Sequence, residues 1–172
     1  MNDQEITEHI YKYYNPSDRA VWEQRKLLNI RGILVPEYIY HGHVDPNDHS
    51  TAIYDTVVKH ESYFRGKKFL DIGTCAGINN ILLAKDGYDV TGLDNTIYSL
   101  NCSIYVMEIN QVYYKLMMGD HTDIEKIDHD VLIINQMGYI PGFMDTMKPI
   151  IEREQDMGRL VMVAETRFKV ES

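Results

Sequence analysis

The chain has 172 residues, 44% of them apolar and 25% charged, which is enough to bury a core and too hydrophobic for a disordered segment. Its net charge of −9 and pI of about 5.2 argue against non-specific nucleic-acid binding, which needs clustered Lys and Arg; the short runs Arg25-Lys26 and Arg65 to Lys68 stand among acids. Two cysteines, Cys75 and Cys102, are too few for a disulfide framework, the opening MNDQEITEHIYKYY is neither a signal nor a transit peptide, and no apolar run approaches the ~18 residues of a membrane span; a single cytoplasmic domain over 1–172 is expected.

Residues 1–30 read as helical, with Ile6, Ile10, Tyr14, Val21 and Leu28 spaced among polar residues. The cluster Asn15-Pro16-Ser17-Asp18 starts a second helix, with Ser17 or Asp18 as its N-cap. Residues 31–50 carry Gly, Pro and His and read as an extended loop with one short strand. Ser50 or Thr51 then caps a helix through about His60. Residues 1–60 thus form a helical extension ahead of a core over 67–166.

From Lys67 strand and helix patterns alternate. Lys68–Ile72 is a short apolar strand and Ala76–Asp86 a helix. Asp89–Leu93 is a second strand, and Thr96–Gln111 a helix with Ile97, Leu100, Ile104 and Met107 in register. Tyr113–Met118 is strand-like, Asp130–Asn135 is a fourth strand, Gly142–Asp156 a helix and Arg159–Thr166 a fifth strand. Such alternation implies an α/β fold with a parallel sheet covered on both faces. Met107, Met147 and Met162 fall at core spacing.

The first strand runs into Asp71-Ile72-Gly73-Thr74-Cys75-Ala76-Gly77, and a helix follows directly. A small-residue loop at that place lets the backbone approach a ligand, with free N–H groups of the helix terminus behind it. A tight turn needing glycine for sterics alone also accounts for this segment. The second strand ends in Asp94, about 20 residues after Gly73, where a carboxylate can accept both hydroxyls of a ribose. Gly119-Asp120-His121 follows the third strand, and Asn135-Gln136 ends the fourth. Gly73, Asp94, Asp120 and Asn135 therefore collect along the carboxyl edge of the sheet, where open α/β sheets bind ligands.

These segments resemble the class I, Rossmann-like S-adenosylmethionine-dependent methyltransferases over roughly Lys67 to Thr166. GKKFLDIGTCAG is similar to the family's first motif, VTGLDNT to the second, Gly119-Asp120 to the third and VLIINQ to the fourth. The resemblance implies a doubly wound, mainly parallel five-stranded sheet of order 3-2-1-4-5, helices on both faces, and methyl transfer from S-adenosylmethionine. It also implies a donor site of Asp71, Gly73, Thr74, Cys75, Gly77, Asp94, Asn95, Asp120, His121, Asn135 and Gln136. Within that set Gly73 and Gly77 face the methionine moiety, Asp94 holds the ribose, Asn95 or Ile97 packs near the adenine, Asp120 binds its amine, and Asn135 and Gln136 border the acceptor side.

The chain departs from that pattern where Cys75 replaces the middle glycine and where the fourth motif reads Asn-Gln-Met-Gly, unlike that of many DNA amino-methylases. The family's sixth and seventh strands are expected to be missing after the fifth. A short likeness of Gly138-Tyr139-Ile140-Pro141 through Glu165-Thr166 to wobble-uridine-modifying enzymes is set against the acidic charge, and a small-molecule acceptor is expected. Fifth-strand residues Leu160 to Ala164 are apolar on both faces, an open edge that points to a homodimer. His41, His43 and His49 lack a complete ligand set, so no metal site is expected; with Tyr38, Tyr40 and Trp22 they form either plain packing or a lid. Cys75 is either a tolerated small side chain or a nucleophile. Two other readings stay open: a non-catalytic donor-binding protein of the same fold, and an NAD-dependent oxidoreductase, whose fingerprint wants Gly-x-Gly-x-x-Gly.

Overall fold

The structure is a computed structural model that describes residues 12–37, 51–74, 77–135 and 141–164. Expectations that fall on Ile6, Ile10, Tyr38, Tyr40, His41, His43, His49, Ser50, Cys75, Gln136, Gly138 to Ile140, Glu165 and Thr166 lie outside the described residues. In chain order the elements are α1 (Pro16–Trp22), β1 (Leu27–Ile30), β2 (Ile33–Pro36), α2 (Ala52–Lys59), α3 (Glu61–Phe64), β3 (Lys68–Ile72), α4 (Ile78–Lys85), β4 (Asp89–Asp94), α5 (Ile97–Asn110), β5 (Lys115–Met118), a 3-10 helix (His121–Lys126), β6 (Val131–Asn135), α6 (Phe143–Asp156) and β7 (Leu160–Ala164).

Five strands form one parallel sheet in the order β5-β4-β3-β6-β7, which is the expected 3-2-1-4-5. Alternation along each strand sends its apolar side chains to two faces. Phe69, Val90, Leu116, Val131, Ile133 and Met162 join a core with α2, α4 and α5. Leu70, Ile72, Leu93, Leu132 and Ile134 join a second core with the 3-10 helix and α6. Burial on both faces explains why these strands read as continuous apolar runs rather than alternating ones.

The N-terminal part differs from the sequence expectation. The N-cap of α1 is Asn15, neither Ser17 nor Asp18; its Oδ1 accepts from the Ser17 N–H at 3.0 Å, and Pro16 takes the first helical position, where its missing N–H costs nothing. The helix stops at Trp22. Leu27–Ile30 pairs antiparallel with Ile33–Pro36 as a hairpin, where a helix to residue 30 was expected. The cause is the two-residue turn Arg31-Gly32, with φ of 54° and 91°, whose twist matches a hairpin. Asn110 at the end of α5 pins this hairpin by accepting from the Leu34 N–H at 2.7 Å and donating to its carbonyl at 2.8 Å.

Helix α5 is consequently covered on two sides, and Leu100 through Met107 are all buried. Trp22 packs with Cys102 and Tyr105 on its outer face, and Arg19 pairs with Glu108. Among the described residues β7 pairs with β6 alone, and no helix is long and apolar enough to cross a membrane.

The amino edge of the sheet is closed by a buried polar cluster. His129, ahead of β6, has Nδ1 2.6 Å from the Ile127 carbonyl and Nε2 2.6 Å from Glu154 of α6. Arg159, ahead of β7, donates to the other Glu154 oxygen at 3.0 Å. The Glu154 side chain is wholly buried, so its partners replace all of its water. Glu154→Ala strands His129 and Arg159 and is expected to cost about 3 kcal/mol, a drop of roughly 6–12 °C in Tm by calorimetry; an unchanged Tm would show that the cluster does not brace this edge.

Candidate functional site

Neighbouring strands end level with one another. Ile72 pairs with Leu93 on one side and Ile134 on the other, and Asp94 pairs with Met118. Gly73, Asp94, Gly119 and Asn135 therefore line one edge, and strand order reverses between β3 and β6, which is where a crevice opens in such sheets.

The loop after β3 is tied to β4 and turns sharply into α4. The Gly73 and Thr74 N–H groups both donate to the Leu93 carbonyl, at 2.7 and 3.3 Å, and the Gly77 N–H donates to the Thr74 carbonyl at 2.9 Å. Gly73 and Gly77 have φ of 70° and 68°, the left-handed region that favours glycine. At Gly77 space demands glycine as well, because a Cβ there would stand 2.0 Å from the Tyr114 hydroxyl.

Beneath the loop lies a buried polar cluster that the sequence reading did not identify. Asp71 Oδ2 accepts from Asn80 Nδ2 at 2.9 Å, and the same nitrogen donates to Thr74 Oγ1 at 2.5 Å. Asp71 Oδ1 is buried without a hydrogen-bond partner among the described residues. Burial pushes the Asp71 carboxyl up to about 7; the Asn80 and Thr74 hydrogen bonds oppose the rise and the Asp94 charge adds to it. Burial likewise pushes the Tyr114 phenol up to about 12. Gly92 on β4 makes room for both neighbours, since a Cβ there would stand 2.9 Å from Thr74 Oγ1 and 3.1 Å from the Tyr114 ring. Asp71 and Thr74 thus turn inward as supports of the loop, with side chains away from its outer surface. The adjacent amides Asn79 and Asn80 within an apolar helix were the available signal.

Asp94 sits at the end of β4, buried, with Oδ1 accepting from the Thr96 N–H and hydroxyl, each at 3.1 Å. Thr96 in turn caps α5 by accepting from Ser99 N–H. Asn95 is exposed, and Ile97 and Tyr98 beside it are 55% and 48% exposed, an apolar ledge next to the carboxylate. Asp120 caps the 3-10 helix that begins at His121, accepting from the Thr122 N–H at 2.8 Å and hydroxyl at 2.6 Å; these bonds hold its carboxyl below the usual range. Asn135 ends β6, its Oδ1 buried without a partner among the described residues. Trp22 packs against α5 and Tyr98, at a ring distance of 5.9 Å. The edge as a whole offers a close-approach loop, two carboxylates and an apolar ledge, which suits a ligand with hydroxyls, a flat apolar part and positive charge.

No family model matches the chain and no curated protein is similar to it in sequence. Solved structures do share its fold. A tRNA (uracil-54, C5)-methyltransferase from Pyrococcus abyssi, in complex with S-adenosyl-L-homocysteine, is 19% identical with a TM-score of 0.53, over 76% of this chain and 31% of that one. A 16S rRNA N2 G1207 methyltransferase from T. thermophilus, in complex with AdoMet and guanosine, is 20% identical with a TM-score of 0.52, over 69% and 34%. A candidate O-methyltransferase from Klebsiella pneumoniae is 13% identical with a TM-score of 0.50, over 87% and 64%. The chain thus spans about a third of the length of the first two. The fold is the α/β fold of class I methyltransferases, as the sequence motifs imply.

The raised Asp71 carboxyl has a consequence for stability. An acid whose folded pKa lies above its unfolded value stabilises the fold while protonated, fully below the unfolded value of 3.8, and loses that contribution as pH rises through about 7. Unfolding free energy of the wild type is expected to fall between these limits by up to about 4 kcal/mol relative to Asp71→Asn. Denaturant titrations at intervals of pH read the difference; parallel curves for the two proteins would rule out a neutral acid at this place.

Proposed function

We propose that the chain is an S-adenosylmethionine-dependent methyltransferase. The observation that carries this reading is the joint placement of the Gly73–Gly77 loop and Asp94 at the strand-order reversal. When bound, S-adenosylmethionine supplies an electrophilic methyl group on a sulfonium. The residues of the edge suit it in kind. Gly73 and Gly77, with Cys75 between them, give a backbone that a methionine moiety can approach. Asp94 accepts ribose hydroxyls while Thr96 fixes its orientation. Asn95 and the Ile97 ledge take the adenine, with Asp120 and His121 at its amine. Asn135 and Gln136 border the acceptor, and the buried Asn135 Oδ1 calls for an N–H or O–H donor from whatever lies there.

Transfer of this kind needs chiefly position. The chain's part is to hold acceptor and methyl in line and to exclude water, which accounts for most of the acceleration when the acceptor is already nucleophilic. The net charge of −9 favours a small-molecule acceptor over a polyanion. The side of β7 that pairs with no strand among the described residues, with Val163 exposed, is the surface through which we propose that two copies pair. Light scattering then gives about twice the 20.0 kDa of one chain; a monomer mass rejects the pairing.

Calorimetry with S-adenosylhomocysteine tests the donor site. Asp94→Ala is expected to weaken binding at least about tenfold, the loss of charge-assisted bonds worth roughly 1.5–3 kcal/mol, with circular dichroism unchanged. Gly73→Val is expected to abolish binding, because its side chain fills the space of the approaching ligand and the backbone there is left-handed. Normal affinity in both variants would remove the donor from this loop.

A further inference from the structure

Asp71 is a buried acid for which the described residues provide no counter-ion. Its residue is 5% exposed, and it stands two residues before Gly73, next to last in β3. The groups that act on it are the neutral Asn80 of α4 and Thr74 of the loop, and the like-charged Asp94 of β4. Tyr114, leading into β5, adds a neutral phenol at its side. No lysine, arginine or histidine contributes among the described residues. A carboxylate so placed is costly, while the neutral acid is not. The Asn80 amide bonds both the carboxyl and Thr74 Oγ1, so acid and loop form one hydrogen-bonded unit. A positive charge arriving on the outer side of that loop acts through protein interior, where screening by water is weak.

We propose that Asp71 is the charge sensor of the donor loop: a neutral carboxyl under a neutral ligand and a carboxylate under a cationic one, so that the sulfonium donor binds with release of a proton and its thioether product does not. This rests on the donor site proposed above. The Asp71 O–H bond breaks on donor binding and its proton goes to solvent. Methyl transfer breaks the carbon–sulfur bond and forms the bond from carbon to acceptor, and the acceptor's proton goes to solvent. With the sulfonium gone, Asp71 takes a proton back from solvent and the loop holds a neutral ligand. Asp71 is in this sense a positioning residue: it matches the loop to the charge of the donor and leaves the product without that match.

Proton counts separate this role from a merely structural one. Titration calorimetry of the full chain at pH 7, in two buffers of different ionisation enthalpy, counts protons released with S-adenosylmethionine and with S-adenosylhomocysteine. The free carboxyl titrates near this pH, so the wild type is expected to release up to about half a proton with the donor and to release none with the thioether. Donor affinity is expected to rise with pH up to about 7 and then level off, with a smaller change for the thioether. Asp71→Asn is expected to bind both ligands and to lose the excess proton. Equal counts for the two ligands in the wild type overturn the sensor, and so does an excess that survives in Asp71→Asn, which would assign it to the donor's own amino group. Either result leaves the donor site standing if the thioether binds; a wild type that binds neither ligand removes the donor site and the sensor together.

Discussion

The Tyr114 hydroxyl occupies the space where residue 77 would otherwise carry a side chain, and much of the carboxyl edge follows from that contact. Because only hydrogen fits at Gly77, the chain can close over Tyr114, and because its φ is 68°, it can enter α4 at once. Gly92 repeats the device one strand over, leaving room for Thr74 and the Tyr114 ring. Two glycines distant in sequence thus serve one buried phenol. The described parts of the loop that ends at Gly77, Gly73-Thr74 and Gly77 itself, rest on packed atoms instead of water, which is what close approach by a ligand requires.

Much of this architecture is legible in the sequence. The five strands of the parallel sheet are bounded by Gly, Asp and Asn clusters, and each apolar run was long enough to bury both faces and too short for a helix. The hairpin was not legible, because Arg31 adopts a left-handed conformation usually given to Asn or Gly, and because Val21 and Leu28 fall at helical spacing by coincidence. The stripe read along α5 was incomplete for a related reason. Covering by α1 buries Asn101 beside Trp22, and Ser103 is buried on the opposite side against Gly77 and Tyr114, while Ile97, the first member of the stripe, stands open at the site. Hydrophobic periodicity reports which face is apolar; it is silent on which second layer covers the other.

The same limit applies to polar residues. The places of Gly73, Asp94, Asp120 and Asn135 along the carboxyl edge are legible because strand ends are predictable and that edge collects them. Asn80, Tyr114, His129 and Glu154 are not, since each matters through a partner contributed by another element. Thr74 is the intermediate case: its place in the loop was read correctly, and its hydroxyl nevertheless turns inward to Asn80. A loop residue next to a buried amide satisfies that amide before it serves a ligand, because an unmet buried donor costs more than an exposed hydroxyl gains.

The two edges of the sheet spend their polar groups in opposite ways. At the amino edge each oxygen of buried Glu154 is matched by a donor group, one from His129 and one from Arg159, and the charges close on themselves. At the carboxyl edge the acids Asp71 and Asp94 stand near each other, and among the described residues Asp71 Oδ1 and Asn135 Oδ1 are buried without partners and no cation balances Asp71. Folding alone gains nothing from such an imbalance. Buried acceptors unmet and an acid unneutralised among the described residues are the features by which this edge, and not the amino edge, stands out as the candidate binding site.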